Sequence, residues 1–349
     1  MKVLIVCDPL SKFSIEAVKQ YESKLKELGD IEIEYASDHN HANMENPKTY
    51  NLKMEKEGPE WITPDAEVMK KIQDADLLMT SFCGVTEAMI EVGKNLKLIY
   101  IMRSGFENCN VEAAKRRGIP VCNTPSRLAE PVADFTVGLM LSECRGILRG
   151  NRSILEGQWM QNDIYDDTTN SALCNLRIGL YGYGGIGRAI ARRLTLGFGA
   201  EVVAYDAFCK PEDMLNEGVK PVSLEELLTT SDIVSLHLKL VEQTKNIFGK
   251  AQFDMMKPSA IFVNTARAGL VDKQALIDAL ESKSIRGACL DVFWEEPVSL
   301  DSPFLKMNNV TMTPHRAGVT TDIVPNTINI MIPEVKRFLA GEHLLYSVK

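Results

Sequence analysis

The stretch GLYGYGGIGRAI, residues 179 to 190, restricts what this chain can fold into more than any other. Gly182, Gly184 and Gly187 stand in the spacing G-x-G-x-x-G, after the apolar run LRIGLYG and before the helix-like run IGRAIARRLTLG. A glycine-rich turn alone says little. Between a strand and a helix, the first glycine permits a tight turn, the second lets a diphosphate approach the backbone, and the third lets helix and strand pack closely. The helix N-terminus adds free N–H groups and the positive end of a dipole. The following run, EVVAYD, ends in Asp206, about twenty residues past the glycines, where a carboxylate can take ribose hydroxyls. The same carboxylate repels a 2′-phosphate, and no arginine follows in AFCKPED, so NAD is expected over NADP.

Short apolar runs alternate with helical spacing along the whole chain. KVLIVCD, IEIEYA, ADLLMTS, LKLIYIM and IPVCNT read as strands, brief and rich in β-branched residues. SIEAVKQYESKLKELG, AEVMKKIQDA, TEAMIEVG and NVEAAKRRG read as helices between them. A second alternation runs through LRIGLYGYG, AEVVAYD, DIVSLHL, AIFVNTA, GACLDVF and NVTMTPH. This pattern specifies an α/β chain with two parallel sheets. Residues 38 to 63 break the rhythm with many Asn, Lys, Glu and Pro residues, and are expected to form a surface insertion.

The chain of 349 residues is long enough for two domains. Its net charge of -8 excludes the basic surface that nucleic acid or an anionic membrane needs, so neither is an expected partner. The opening apolar run stops at Asp8, too short for a secretory signal, and no run reaches the length of a membrane span. The eight cysteines are scattered without a Cys-x-x-Cys pair and are expected to be buried thiols of a cytoplasmic protein. HNH at residues 39 to 41 lacks further ligands nearby and reads as a solvated loop, so no metal is expected.

Three polar residues follow successive strands in the second half. Arg267 lies in VNTARAGLVD, Glu296 in LDVFWEEP and His315 in TPHRAG. In an open parallel sheet, ligands sit at the carboxyl ends of the strands, so these loops can converge on the crevice that holds the dinucleotide. Arg267 offers a planar fork for a carboxylate. His315 can exchange a proton near neutral pH, and Glu296 can orient the imidazole and favour its charged form. Proton exchange, carboxylate binding and a nicotinamide together describe hydride transfer between NAD and a 2-hydroxy acid. Singly, each residue has a plainer role: a surface ion pair for Arg267, a cap for Glu296, a core residue for His315.

At these residues the sequence resembles the D-isomer-specific 2-hydroxyacid dehydrogenases, the group with phosphoglycerate, glycerate and D-lactate dehydrogenases, in a short form without a regulatory domain. The resemblance rests on GYGGIG, VNTARAGLVD, LDVFWEEP and TPHRAG, and extends to RSGFENCNVEAAKRRGIPVCNTP and AEPVADFTVGLML. It implies that Arg267, Glu296 and His315 are catalytic. Gly182, Gly184, Gly185, Ile186, Gly187 and Asp206 would hold NAD, with His237 near the nicotinamide ribose, Thr265 and Ala266 along the cofactor, and Asp291 on the nicotinamide carboxamide. Gly84, Ser104 and Gly105 would join Arg267 on the substrate. It further implies a Rossmann dinucleotide-binding domain, residues 123–317, and a discontinuous flavodoxin-like substrate domain, residues 1–122 plus 318–349. The helix near residue 130 would cross between them, with a cleft between the domains, and the molecule would be a homodimer. This chain departs from the pattern at Lys239, where many relatives have proline, and at Asp134 and Phe135. Arg103 is one basic candidate for a substrate phosphate. An NAD(H)-sensing corepressor on the same fold is the alternative function. Formate dehydrogenases fit less well, since they carry glutamine where Glu296 stands.

Overall fold

The structure, a computed structural model, describes residues 1–9, 12–40, 50, 53, 54, 56–159 and 171–348. The chain divides into two compact units, Met1–Arg127 with Thr320–Lys349, and Leu128–Val319.

The first unit holds a five-stranded parallel sheet in the order β2-β1-β3-β4-β5. Its strands are β1 (Lys2–Cys7), β2 (Glu32–Ser37), β3 (Leu77–Thr80), β4 (Leu98–Ile101) and β5 (Val121–Asn123). β1 pairs on both sides, Val3 opposite Ile33 and Leu77, which is why its run is continuously apolar. This is the doubly wound order with the switch between β1 and β3. Helices start at side-chain caps: Asp65 accepts from Glu67 N, Thr86 from Met89 N and Asn110 from Ala113 N. The helix Ile323–Leu339 closes one face, burying Val324, Ile328, Met331, Ile332 and Val335 with Val3, Ile5, Met79 and Tyr100. The chain beyond it returns to the sheet, where Val348 N donates to Val121 O at 2.8 Å.

The expected helix over residues 14–29 is broken into Ile15–Lys19, Glu22–Leu25 and a short 3-10 turn, an arrangement that buries Val18, Leu25 and Leu28 together. The insertion is also not wholly at the surface. Tyr50, Met54 and Ile62 are buried and packed with Trp61, because the few large apolar residues of this polar stretch gather into their own cluster. His39 is exposed and bonds Asp65 at 2.9 Å, while His41 lies outside the described residues. Among the described residues no group of His, Cys, Asp and Glu could hold a metal ion.

The second unit holds a seven-stranded parallel sheet, β12-β11-β10-β9-β6-β7-β8. The strands are β6 (Arg177–Tyr181), β7 (Glu201–Tyr205), β8 (Lys220–Pro221), β9 (Ile233–Leu236), β10 (Ile261–Asn264), β11 (Gly287–Leu290) and β12 (Val310–Met312). The order reverses between β6 and β9, so the carboxyl ends of those two strands flank the crevice. The helix expected from Gly185 runs to Arg192 and ends in a π-helical turn, Arg193–Gly197. The helix Ala129–Cys144 buries Ala133, Val137 and Met140 on the same side of the sheet. In its last turn, Glu143 is fully buried, paired with Arg149 at 2.9 Å and accepting from Thr311 Oγ1 at 2.6 Å. No helix among the described residues is long and apolar enough to cross a membrane. Six cysteines are buried as expected, whereas Cys174, in the short 3-10 turn Leu173–Asn175, is exposed, and Cys209 is partly buried against the core.

Candidate active site

The glycine loop connects β6 to the helix Gly185–Arg192. Gly182 has φ +103°, and a Cβ there would lie 2.7 Å from the carbonyl oxygen of His237. Only glycine fits on both counts. A Cβ on Gly187 would run into the carbonyl of Gly182, whereas one on Gly184 would meet nothing within 4 Å. The loop is thus packed hard against protein at its first and third glycines and open at the second. The amides of Gly185, Ile186 and Gly187 form the first helical turn, where N–H groups have no helical acceptor. Tyr183, fully buried, donates through its hydroxyl to Glu217 at 2.9 Å, and Arg188 pairs with the same Glu217. That bracing holds the loop from behind.

Asp206 stands at the end of β7. One carboxylate oxygen accepts from Tyr183 N at 2.7 Å, the other from Phe208 N and Cys209 N at 2.8 Å each. Partial burial works against ionisation, but these amides and the charge of Arg188 outweigh it and hold the carboxyl below its ordinary range. At the end of β9, the ring of His237 is shielded, and burial lowers its pKa to about 3. The imidazole is therefore neutral, and its Nε2 is buried with no hydrogen-bond partner. An orphaned polar atom beside an open glycine cradle and an ionised carboxylate at the next strand end fit a dinucleotide lying across β7, β6 and β9. After β10, Thr265 is buried with its hydroxyl 2.8 Å from that of Thr136, and Ala266 N donates to Asn264 Oδ1 at 3.0 Å.

Arg267 follows at once. Its guanidinium is exposed and donates to its neighbour's carbonyl, Ala266 O, at 2.8 Å, with no carboxylate within ion-pair distance among the described residues. His315 and Glu296, from the loops after β12 and β11, are brought together: Nδ1 lies 2.9 Å from Glu296 Oε2 and 3.0 Å from Oε1. An ionised carboxylate has no proton to give, so Nδ1 carries the shared proton. That leaves Nε2 as the nitrogen free to exchange a proton with a ligand. Glu296 is itself fixed by the amide of Phe293 at 3.1 Å.

His315 sits in a left-handed backbone conformation, φ +51°, uncommon for a residue with a side chain. The fully buried Asp291 holds that turn. Its Oδ1 accepts from Thr313 Oγ1 at 2.6 Å and Arg316 N at 2.8 Å, and its Oδ2 from Ala317 N at 2.8 Å. Sequence reading attached Asp291 to the cofactor by resemblance and missed this clamp and its partner Thr313. The signal was a Thr two residues before the histidine.

In the first unit, Gly84 is buried, and a Cβ there would lie 3.2 Å from Met54 Cε and 2.5 Å from Ile62 Cδ1. The insertion therefore packs directly on this loop. Ser104 is pinned through its hydroxyl to Thr124 O at 3.1 Å and through its carbonyl to Asn123 Nδ2 at 2.5 Å. The amides of Ser104 and Gly105 donate to no protein acceptor among the described residues. Arg103 lies against the same loop, its Nη2 3.2 Å from where a Cβ on Gly105 would sit. It is buried, with its guanidinium 5.0 Å from the Phe82 ring centre and 3.9 Å from Glu107.

The two sheets and the loops of the second unit define an α/β dinucleotide-binding enzyme. Residues 137–317 match the family described as D-isomer specific 2-hydroxyacid dehydrogenase, NAD binding domain. The chain is 34% identical over 285 residues to a glyoxylate reductase of Korarchaeum cryptofilum, covering 79% of this chain and 83% of that one. It is 39% identical over 259 residues to a hydroxypyruvate reductase of Thermotoga maritima, covering 73% and 82%. The structure of a D-lactate dehydrogenase with NAD+ from Lactobacillus jensenii superposes with a TM-score of 0.74 at 25% identity, over 100% of both chains. The chain belongs to the D-isomer specific 2-hydroxyacid dehydrogenase family. It is an NAD-dependent oxidoreductase of 2-hydroxy acids, and the corepressor alternative is not favoured.

Proposed function

We propose that this enzyme interconverts a short, unphosphorylated 2-oxo acid and its 2-hydroxy acid, glyoxylate or hydroxypyruvate in the direction of reduction. The contact that carries the reading is His315 Nδ1 on Glu296, which leaves Nε2 to serve the substrate. Bound NADH supplies the hydride that reaches the carbonyl carbon. His315 gives the proton from Nε2 to the carbonyl oxygen, and takes it back when the hydroxy acid is oxidised. Glu296 holds the ring and balances its charge. Arg267 grips the substrate carboxylate with its unpaired fork, and in the first unit Gly84, Ser104 and Gly105 are assigned to the substrate, the last two through their open amides. The glycine loop, Asp206, His237, Thr265, Ala266 and Asp291 are assigned to the cofactor.

The preference for an unphosphorylated acid is drawn from the relatives named glyoxylate and hydroxypyruvate reductase. Arg103, whose guanidinium lies against Gly105, shares its charge with Glu107 at 3.9 Å. Spectrophotometric assay of 2-oxo acids with NADH tests the preference: glyoxylate or hydroxypyruvate is expected to consume NADH faster than phosphohydroxypyruvate. A strong preference for the phosphorylated acid defeats the substrate proposal, and no turnover across a broad panel defeats the catalytic assignments.

The protein is further proposed to be cytoplasmic and a homodimer. The free thiols suit a reducing compartment. The helix Ile147–Leu155 leaves Ile147, Leu148, Ile154 and Leu155 exposed, with Trp159 just beyond, an apolar face of the kind that subunits cover. Sedimentation of the protein and of Leu155→Glu tests the dimer, which the charge is expected to dissociate.

A further inference from the structure

We infer that Lys239 is a cofactor-binding residue, its ammonium paired with the diphosphate of the dinucleotide. The loop after β9 is wedged between two others. The carbonyl of His237 lies against Gly182, and Leu238 Cδ2 would be 3.2 Å from a Cβ there. On the other side, Leu240 Cδ2 would be 3.0 Å from a Cβ on Gly269, in the loop that carries Arg267. Lys239 stands between those two packing points, beside the crevice where the sheet order reverses.

Its backbone is fixed and its charge is not. Thr244 Oγ1 donates to Lys239 O at 2.7 Å and accepts from Val241 N at 2.9 Å, closing the turn. The side chain is exposed, and no carboxylate among the described residues lies within ion-pair distance of its ammonium. The arginines nearest the glycine loop and the substrate are committed. Arg188 is held by Glu217 and Cys209 Sγ and lies over the Tyr183 ring at 5.0 Å. Arg267 is assigned to the substrate. A diphosphate carries two negative charges, and the glycine loop meets it with N–H groups alone. Lys239, two residues past the His237 carbonyl that lies against Gly182, supplies a flexible point charge at that strand end.

The test is direct binding, read by fluorescence titration with NADH, NADPH, ADP-ribose and adenosine, for the unaltered protein, Lys239→Gln and Lys239→Arg. An exposed ion pair predicts that Lys239→Gln weakens NADH and ADP-ribose about fivefold at low salt. The gap should close near 1 M salt, where screening acts over about 3 Å. Lys239→Arg is expected to bind like the unaltered protein, and adenosine, which has no phosphate, to bind all three alike. Unchanged NADH affinity in Lys239→Gln overturns the inference, as does an equal loss for adenosine. Weakening confined to NADPH also overturns it, because the lysine would then serve a 2′-phosphate. Thermal unfolding of the variants identifies any that fold poorly, and Lys239→Arg then decides alone: weak NADH binding by that variant, folded, counts against the pairing.

Discussion

Asp291→Asn should uncouple His315 from its backbone support. Asn keeps one acceptor oxygen and turns the other into a donor. Whichever way the amide points, at least one of the amides of Arg316 and Ala317, now at 2.8 Å from a carboxylate oxygen, faces another donor. Leaving one buried N–H unsatisfied costs about 1–3 kcal/mol. The turn has little reserve against such a loss, since a residue with a side chain at φ +51° stores on the order of 1–3 kcal/mol of backbone strain. At roughly 2–4 °C per kcal/mol for a unit of this size, the melting temperature should fall by roughly 2–12 °C. If the turn relaxes and His315 moves by about 1 Å, turnover should fall by about 100-fold. Thr313→Val removes a single bond and should show a milder form of both effects. The assays are thermal unfolding and kcat/KM for 2-oxo acid reduction, with NADH affinity measured in parallel. An unchanged melting temperature with turnover within twofold of the original would refute the clamp. Loss of NADH affinity alone, with normal turnover at saturation, would leave Asp291 as a cofactor contact and nothing more.

Asp206→Ser should raise the NADPH to NADH ratio of kcat/KM by tenfold or more, on the order of 1.4 kcal/mol, by removing the repulsion of a 2′-phosphate; comparable use of both cofactors by the unaltered enzyme contradicts this. Arg267→Ala should lower kcat/KM about 100-fold with NADH affinity retained, and Arg267→Lys should recover little of it, since a point charge does not replace a planar fork. Arg149→Met leaves Glu143 buried without its cation and should cost about 3–5 kcal/mol in urea unfolding. For His237 the folded pKa of about 3 lies below the unfolded value near 6.5, so the unfolded chain binds the extra proton between them. Stability should therefore decline as pH falls through that window, by up to about 1.4 kcal/mol per unit, and His237→Gln should flatten the decline. Equal acid sensitivity of the two proteins would count against a neutral buried ring.

The sheets were legible because parallel strands covered on both faces must be written as unbroken apolar runs, as in β1 and β10. β8 escaped notice because two edge residues, one of them proline, carry no period. Residues 38 to 63 misled for the opposite reason: composition over a window hides Tyr50, Met54 and Ile62, which are what the fold buries. The pairing of Glu296 with His315 was readable from one residue type per strand end, and the role of Arg267 is proposed on the same pattern. The support beneath that pair was not readable. Asp291 reaches backbone amides of Arg316 and Ala317, and no side-chain identity reveals which amides a distant turn will present. Nor does sequence show that Arg103 stacks over Phe82 with its guanidinium against Gly105.

The helix Ile323–Leu339 belongs to the unit that begins at Met1, and this sets an order of events during synthesis. Residues 128 to 319 form an uninterrupted unit, so its core can close as soon as that stretch is made. The first five strands emerge earlier and yet must wait. Until the late helix arrives, the face bearing Val3, Ile5, Leu77, Met79 and Tyr100 is covered only in part, by Phe13, Val18, Leu25 and Leu28, and the rest stays open to water or to a chaperone. The unit made first is thus completed last, and a nascent chain stalled between the two units would hold a finished cofactor cradle beside an unfinished sheet.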